Sequence, residues 1–436
     1  MRWNRMNSEK VSITGLSPIF IGSGDAYSQL DYIKDEHTVF ILDRDSLWQD
    51  VPVEMIEDFT NQINTHFHNN IWKGDLRQFF GDYGLDWKNY IKKKLKLDSP
   101  IGKNEINQFI KTADTPYIPG SSIKGSLKTA VYYYCLLNNE RLRDQLIDSL
   151  NRTRKKKDVY STLESYLRRH DQPNPKNDLF RGLMISDARL SHESESLSVK
   201  KSVIYHLYDL KFHSPVYHEV LEKDFQALCS IKIDDKLINS TFINEIRTTF
   251  DLNKENLIDA ANEFTKRIID FEIECFEYCD DSNLEGVLTF YKGLKNVSEN
   301  LSSNECLLRL GQGSSFIGTT MFLIYWDDPQ ILLDFTRLIR VRFSEPDRKN
   351  PNSAIARTER GLIIPHRNSP SFPMLNEEWL CKVKSKKRNS RFVDLKYHVD
   401  ADFRYTDIIY PETRKFVVVQ EKNSAPFGWI KLKWDE

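Results

Sequence analysis

The stretch TPYIPGSSIKGSLKTA, Thr115 to Ala130, decides how the chain is organised. Its apolar entry, Pro116-Tyr117-Ile118-Pro119, runs into Gly120-Ser121-Ser122, and helical spacing of Ile123, Leu127 and Ala130-Val131 predicts a helix over Ile123 to Leu137. The prolines restrict the approach and Gly120 frees the turn. Ser121 or Ser122 is the expected N-cap. Lys124 and Lys128 stand four apart on one face, so helix-start N–H groups, small side chains and two lysines together predict a phosphate seat.

The pattern returns once. Gly313-Ser314-Ser315-Phe316-Ile317-Gly318 echoes Gly120 to Gly125 and follows another apolar run, Cys306 to Leu310, which includes Arg309. The echo is either an internal duplication of one strand–turn–helix unit or a pair of unrelated helix caps. A Walker A loop is excluded, because Ser126 stands where that motif needs its lysine and Thr319 stands there in the echo. Phosphate contact without nucleotide hydrolysis is the remaining reading, with a polymer backbone as the ligand. A third glycine-serine turn, Gly22-Ser23-Gly24, lies near the start.

With 62 Lys+Arg against 63 Asp+Glu the net charge is −1, which argues against indiscriminate coating of nucleic acid and leaves room for local basic tracks. The chain of 436 residues, 40% apolar, supports two or three domains. The six cysteines contain no C-x-x-C pair, so zinc is disfavoured and reduced thiols of a cytoplasmic protein are expected. No membrane span and no cofactor are expected.

Patterning predicts a strand over Lys10 to Leu16 and a hairpin of Leu30 to Ile33 with Val39 to Leu42. It then predicts helices from Asp45 to about Gln108, and strands at Leu183 to Asp187 and Phe225 to Ile233. Tyr205 to Val220 is expected as paired extended segments and Asp234 to Cys279 as helix. Gly286 to Tyr291 is expected as a strand, Thr319 to Ile324 and Leu332 to Arg340 as helices, and Gly428 to Trp434 as a strand. The fold class is α+β: two ferredoxin-like (RRM-like) domains, 1–285 with helical insertions near 46–110, 135–180 and 235–280, and 286–436. Basic runs at 152–157, 337–349 and 382–391 are either solvated surface or nucleic-acid contacts.

These residues carry a family resemblance. Ile21 to Gly24, Tyr117 to Gly125, Ser186-Asp187, Leu310 to Ser315, Pro411 to Lys415 and Pro426 to Trp429 occur in the order found in the RAMP superfamily of CRISPR effector subunits. More narrowly, the set resembles the fifth Csm subunit of type III-A complexes. The resemblance implies binding to the 3′ part of a guide RNA (crRNA), at the head of a helical complex. Implied neighbours are the backbone RAMP subunit, the small helical subunit and recruited host ribonucleases. The expected RNA-binding set is Gly22, Ser23, Gly24, Gly120, Ser121, Ser122, Lys124, Lys128, Arg309, Gly311, Gly313, Ser314, Ser315 and Arg414. No catalytic or metal-binding residue is expected. The rival reading is a metal-dependent endoribonuclease. It would use His213 and His218, read as a surface loop pair, or Asp187, which capping of a turn explains as well. His66 and His68 are a weak metal pair, and Tyr132 to Tyr134 are expected in the core.

Overall fold

The computed structural model describes residues 8–151, 178–326 and 413–435, apart from 69–70, 73, 103–104, 192–196, 208–210, 241–244, 280 and 421–422, together with strands at 341–343, 356–358, 363–364, 379–384 and 392–397. The basic run 152–157, the helix expected over 332–340 and most of the two later basic clusters lie outside the described residues.

Two large sheets carry the fold. The first is antiparallel and runs Glu305–Arg309, Trp429–Trp434, Glu9–Gly15, Gln226–Ile233, Ala188–Leu190, Thr115–Ile118, Lys111–Thr112, with Leu183–Ile185 also on Gln226–Ile233. Alternation builds it: Val11 and Ile13 point inward from Glu9–Gly15, and Ala227, Cys229 and Ile231 do so from the neighbouring strand. The second runs Gly22–Tyr27, Ile106–Phe109, Lys211–Leu221, Leu197–His206, Ile91–Leu97, Thr38–Leu42, Tyr32–Lys34, with Thr413–Gln420 on Leu197–His206. The helices Gly120–Asn138 and Lys254–Cys279 pack on each other and against the first sheet. One continuous core joins sheets and helices, and a smaller core of Leu47, Phe59, Trp72, Phe79 and Phe80 serves an insertion of three helices, Arg44–Asp50, Val53–His66 and Leu76–Asp82. The boundary drawn near 285 falls between Lys254–Cys279 and Glu285–Glu299, yet both sheets take strands from either side of it.

Three expected elements are corrected. Ile91–Leu97 and Ile106–Phe109 are strands, not helix: in IKKKLKL the alternation of apolar and lysine residues turns every second side chain outward. Glu285–Glu299 is a helix where Gly286 to Tyr291 reads as a strand, because Val287, Tyr291 and Leu294 lie on one helical face and are buried there. The helix expected over Thr319 to Ile324 is two short ones, Ser315–Thr319 and Phe322–Trp326. Tyr132 and Tyr133 are buried, as expected. No helix of the described residues is long and apolar enough to cross a membrane.

Candidate functional site

The three glycine-serine turns meet at one corner of the molecule. The helix Gly120–Asn138 begins with Pro119 at the cap position and no capping side chain of its own. Its first N–H, from Gly120, donates to Asp187 Oδ1 at 2.8 Å. The serine N-cap is therefore corrected: the cap comes from a strand end 67 residues away. A Cβ on Gly120 would stand 2.4 Å from the Ile185 carbonyl oxygen, so only glycine lets the helix start so close to that strand. Asp187 already places an anion at the helix start, where the dipole favours one. The same contact gives Asp187 a capping role.

Lys128 Nζ pairs with Asp178 at 2.8 Å and lies 4.8 Å from the Phe180 ring centre. Lys124, one turn earlier and half-buried, has its pKa lowered by burial; Asp178 opposes that shift and Lys128 reinforces it. Ser121 is exposed beside them.

The second turn follows the buried strand Glu305–Arg309. Gly311 has φ +64°, and a Cβ there would lie 2.2 Å from the Phe20 carbonyl oxygen, which accepts from Gln312 N at 3.0 Å. Gly313 packs as closely on the Phe427 carbonyl without a positive φ. Ser315, exposed, sits at φ +53°, an uncommon conformation for a side-chain-bearing residue. Ser314 Oγ and Ser126 Oγ, from the two echoed units, both donate to the Arg309 carbonyl, at 2.8 and 3.3 Å. Between the units lies a cleft of about 330 Å³ lined by Ser122, Ser126, Lys128, Tyr132, Gly311 and Thr319, among others. Gly22, Ser23 and Gly24 are corrected from a turn to the exposed, irregular start of strand Gly22–Tyr27, with Gly24 at φ +98°; Ser23 Oγ accepts from Asp25 N at 3.1 Å, and Phe20 ties this strand start to the second turn. Gly428 completes the corner, donating to Pro18 O and accepting from Leu310 N.

Arg309 and Arg414 are not at this surface. Both are buried on Glu272 of Lys254–Cys279: Arg414 Nε at 2.7 Å from one carboxylate oxygen, Arg309 Nη1 at 3.5 Å from the other. Gly313 and Ser314 are buried as well. His218 is corrected from a loop to strand Lys211–Leu221, where it is 1% exposed, 2.9 Å from Ser202 Oγ and packed on Phe20, the ring centres 4.3 Å apart and the planes tilted by 43°. Burial, helped by Lys415, lowers its pKa to about 3, so the ring is neutral. The His213, His66 and His68 side chains lie outside the described residues. Sequence reasoning missed the carbonyls of Phe20, Arg309 and Phe427 as the anchors of the turns. Their only signal was the recurrence of Gly beside Ser, which marks close backbone approach without naming its partner.

The class of protein is an α+β scaffold with glycine-serine segments gathered at one corner. A model of the RAMP superfamily matches residues 12–316, and the chain belongs to that superfamily, whose ferredoxin-like fold agrees with the α+β reading. Within it the chain is similar to proteins named Csm5. One from Methanocaldococcus jannaschii is 26% identical over 428 residues, 96% of this chain and 87% of the relative. One from Streptococcus thermophilus is 29% identical over 29% of this chain and 38% of the relative. Two solved structures share the fold. The crystal structure of T. onnurineus Csm5 has a TM-score of 0.56 at 21% identity, covering 73% of this chain and 94% of that one. A chain in the cryo-EM structure of a type III-A Csm–crRNA–target RNA ternary complex has a TM-score of 0.60 at 18% identity, covering 98% and 100%.

Proposed function

We propose that this chain is a non-catalytic RNA-binding subunit of a type III-A CRISPR effector complex, binding the 3′ part of the crRNA and capping the backbone filament. The observation that carries this reading is the similarity to a Csm5 protein along 96% of the chain. The fold shared with a chain of a crRNA-bearing complex supports it. Its partners are then the crRNA, the backbone RAMP subunit and the small helical subunit, with host ribonucleases recruited for guide maturation. The RNA-facing surface is the exposed rim of the glycine-serine corner: Gly22, Ser23 and Gly24, Ser121 and Ser122 with Lys124, and Gly311 with Ser315. Lys128 joins it by leaving Asp178. Gly120, Gly313, Ser314, Arg309 and Arg414 build the corner from behind. The engaged state of Asp187 and the burial of His218 speak against the nuclease reading.

A subunit with one surface matched to a repeating neighbour and one altered surface adds once and stops a head-to-tail array. Complexes purified without this chain are expected to carry guides with abnormal 3′ ends, read by RNA sequencing, and altered backbone copy number, read by native mass spectrometry. Normal guides and copy number would refute the capping role.

A further inference from the structure

The helices Gly120–Asn138 and Lys254–Cys279 pack against the first sheet, whose Glu305–Arg309 edge is buried on both faces; away from that edge the other face carries an ordered row of side chains. Strand register aligns Tyr117 with Arg189, Arg189 with Leu228, Leu228 with Ser12, and Ser12 with Lys433. Five strands at roughly 4.8 Å spacing make this row about 19 Å long. Arg189 and Lys433 are exposed, and Leu228 is 51% exposed, unusual for a leucine at the centre of a sheet. At the Tyr117 end a cleft of about 790 Å³ is lined by Tyr117, Arg189, Leu228, Ser230, Lys10 and Asp187, among others.

This face carries three cations, Lys10, Arg189 and Lys433. Among the described residues no carboxylate lies within ion-pair distance of Lys10, Arg189 or Lys433. Of the nearby acids, Asp187 accepts from the Gly120 N–H, Glu305 pairs with Lys431 at 2.9 Å and Glu9 with Lys254 at 2.9 Å, while exposed Asp435 stands beside Lys10, its N–H donating to the Lys10 carbonyl at 3.0 Å. Along the row the Tyr117 ring, the Arg189 guanidinium, Leu228 and the Lys433 ammonium alternate apolar surface with cations. Stacking surface alternating with phosphate-binding cations suits a single-stranded nucleic acid better than an apolar protein partner.

We infer that this face is a second RNA track, in which a base stacks on Tyr117 beside Arg189 while Arg189, Lys433 and Lys10 hold phosphates. It rests on the RNA-binding reading above and adds a surface on the side of the sheet away from the helix Gly120–Asn138.

The test uses the purified full chain and a short fluorescein-labelled oligouridylate, with affinity read by anisotropy across a salt series. Tyr117→Ala is expected to bind about tenfold more weakly and Tyr117→Phe within about twofold of wild type, since stacking needs the ring and not the hydroxyl. The double variant Arg189→Gln, Lys433→Gln is expected to lower the salt slope by about 1.4, two single-strand phosphate contacts. Wild-type affinity and slope in these variants, with binding weakened by Lys124→Glu alone, would overturn the second track and leave the glycine-serine corner standing. Equal weakening by Tyr117→Phe and Tyr117→Ala would overturn stacking. No binding by the wild-type chain would overturn both surfaces.

Discussion

Arg309 and Arg414 show what a residue's type does and does not disclose. In sequence each is a cation beside a glycine-rich or threonine-containing turn, and each reads as an RNA contact. In the fold both point inward to one carboxylate, Glu272, which is 0% exposed. Nothing within reach in the sequence pairs them, since Glu272 is 37 residues from one and 142 from the other. Removing one charge from such a group leaves the others buried and uncompensated. Glu272→Gln is expected to cost about 3–5 kcal/mol in urea unfolding, with RNA affinity of the folded fraction unchanged. His218 gives a pH signature. Its folded pKa is about 3 against 6.5 for the free side chain. Below pH 6.5 the unfolded chain takes up a proton that the folded chain refuses, so this stabilisation is full above 6.5 and is lost as pH falls toward 3. Between those values the loss is roughly 1.4 kcal/mol per pH unit. Unfolding free energies of wild type and His218→Gln are expected to converge by that amount as the buffer is acidified; a constant difference would refute a neutral buried imidazole.

The helix Gly120–Asn138 was legible at the scale of elements because its apolar spacing is sustained over four turns. Strand Glu9–Gly15 and the hairpin of Tyr32–Lys34 with Thr38–Leu42 were legible for the same reason at period two. Ile91–Leu97 and Glu285–Glu299 were not, because short apolar runs fit either period and flanking lysines or glycines tip the choice wrongly. The start of the central helix was legible but its cap was not: a side chain can cap from a distant strand, and local spacing cannot see it. That cap has a measurable weight. Asp187→Ala is expected to destabilise the chain by about 1 kcal/mol in denaturant unfolding and to leave purified protein as inert toward single-stranded RNA as before. RNA cleavage by wild type that Asp187→Ala abolishes would instead restore the nuclease reading. The candidate site was legible as motifs, three turns with glycine beside serine. Its assembly was not, since carbonyls of Phe20, Arg309 and Phe427 hold it together and every residue has a carbonyl.

On the scale of the whole molecule the most telling contact joins the strands Glu9–Gly15 and Trp429–Trp434, whose partners Ser12 and Lys433 are 421 residues apart. Glu9–Gly15 lies between that strand and Gln226–Ile233, inside the first sheet. Both sheets therefore close only when segments from distant parts of the chain arrive, and such non-local pairing is slow. Cutting the chain before Trp429 is expected to cost the first sheet its order and not merely one strand, read as loss of cooperative melting. The order of synthesis gives this pairing a further meaning. While the ribosome is still making the middle of the chain, Glu9–Gly15 has one free edge, and an unpaired edge invites any other strand. Only a ribosome that has passed residue 434 releases a chain able to seal it. A chain that stops short of Trp429 therefore keeps an unpaired edge on Glu9–Gly15, a template for any other strand, and the pairing with Trp429–Trp434 covers it.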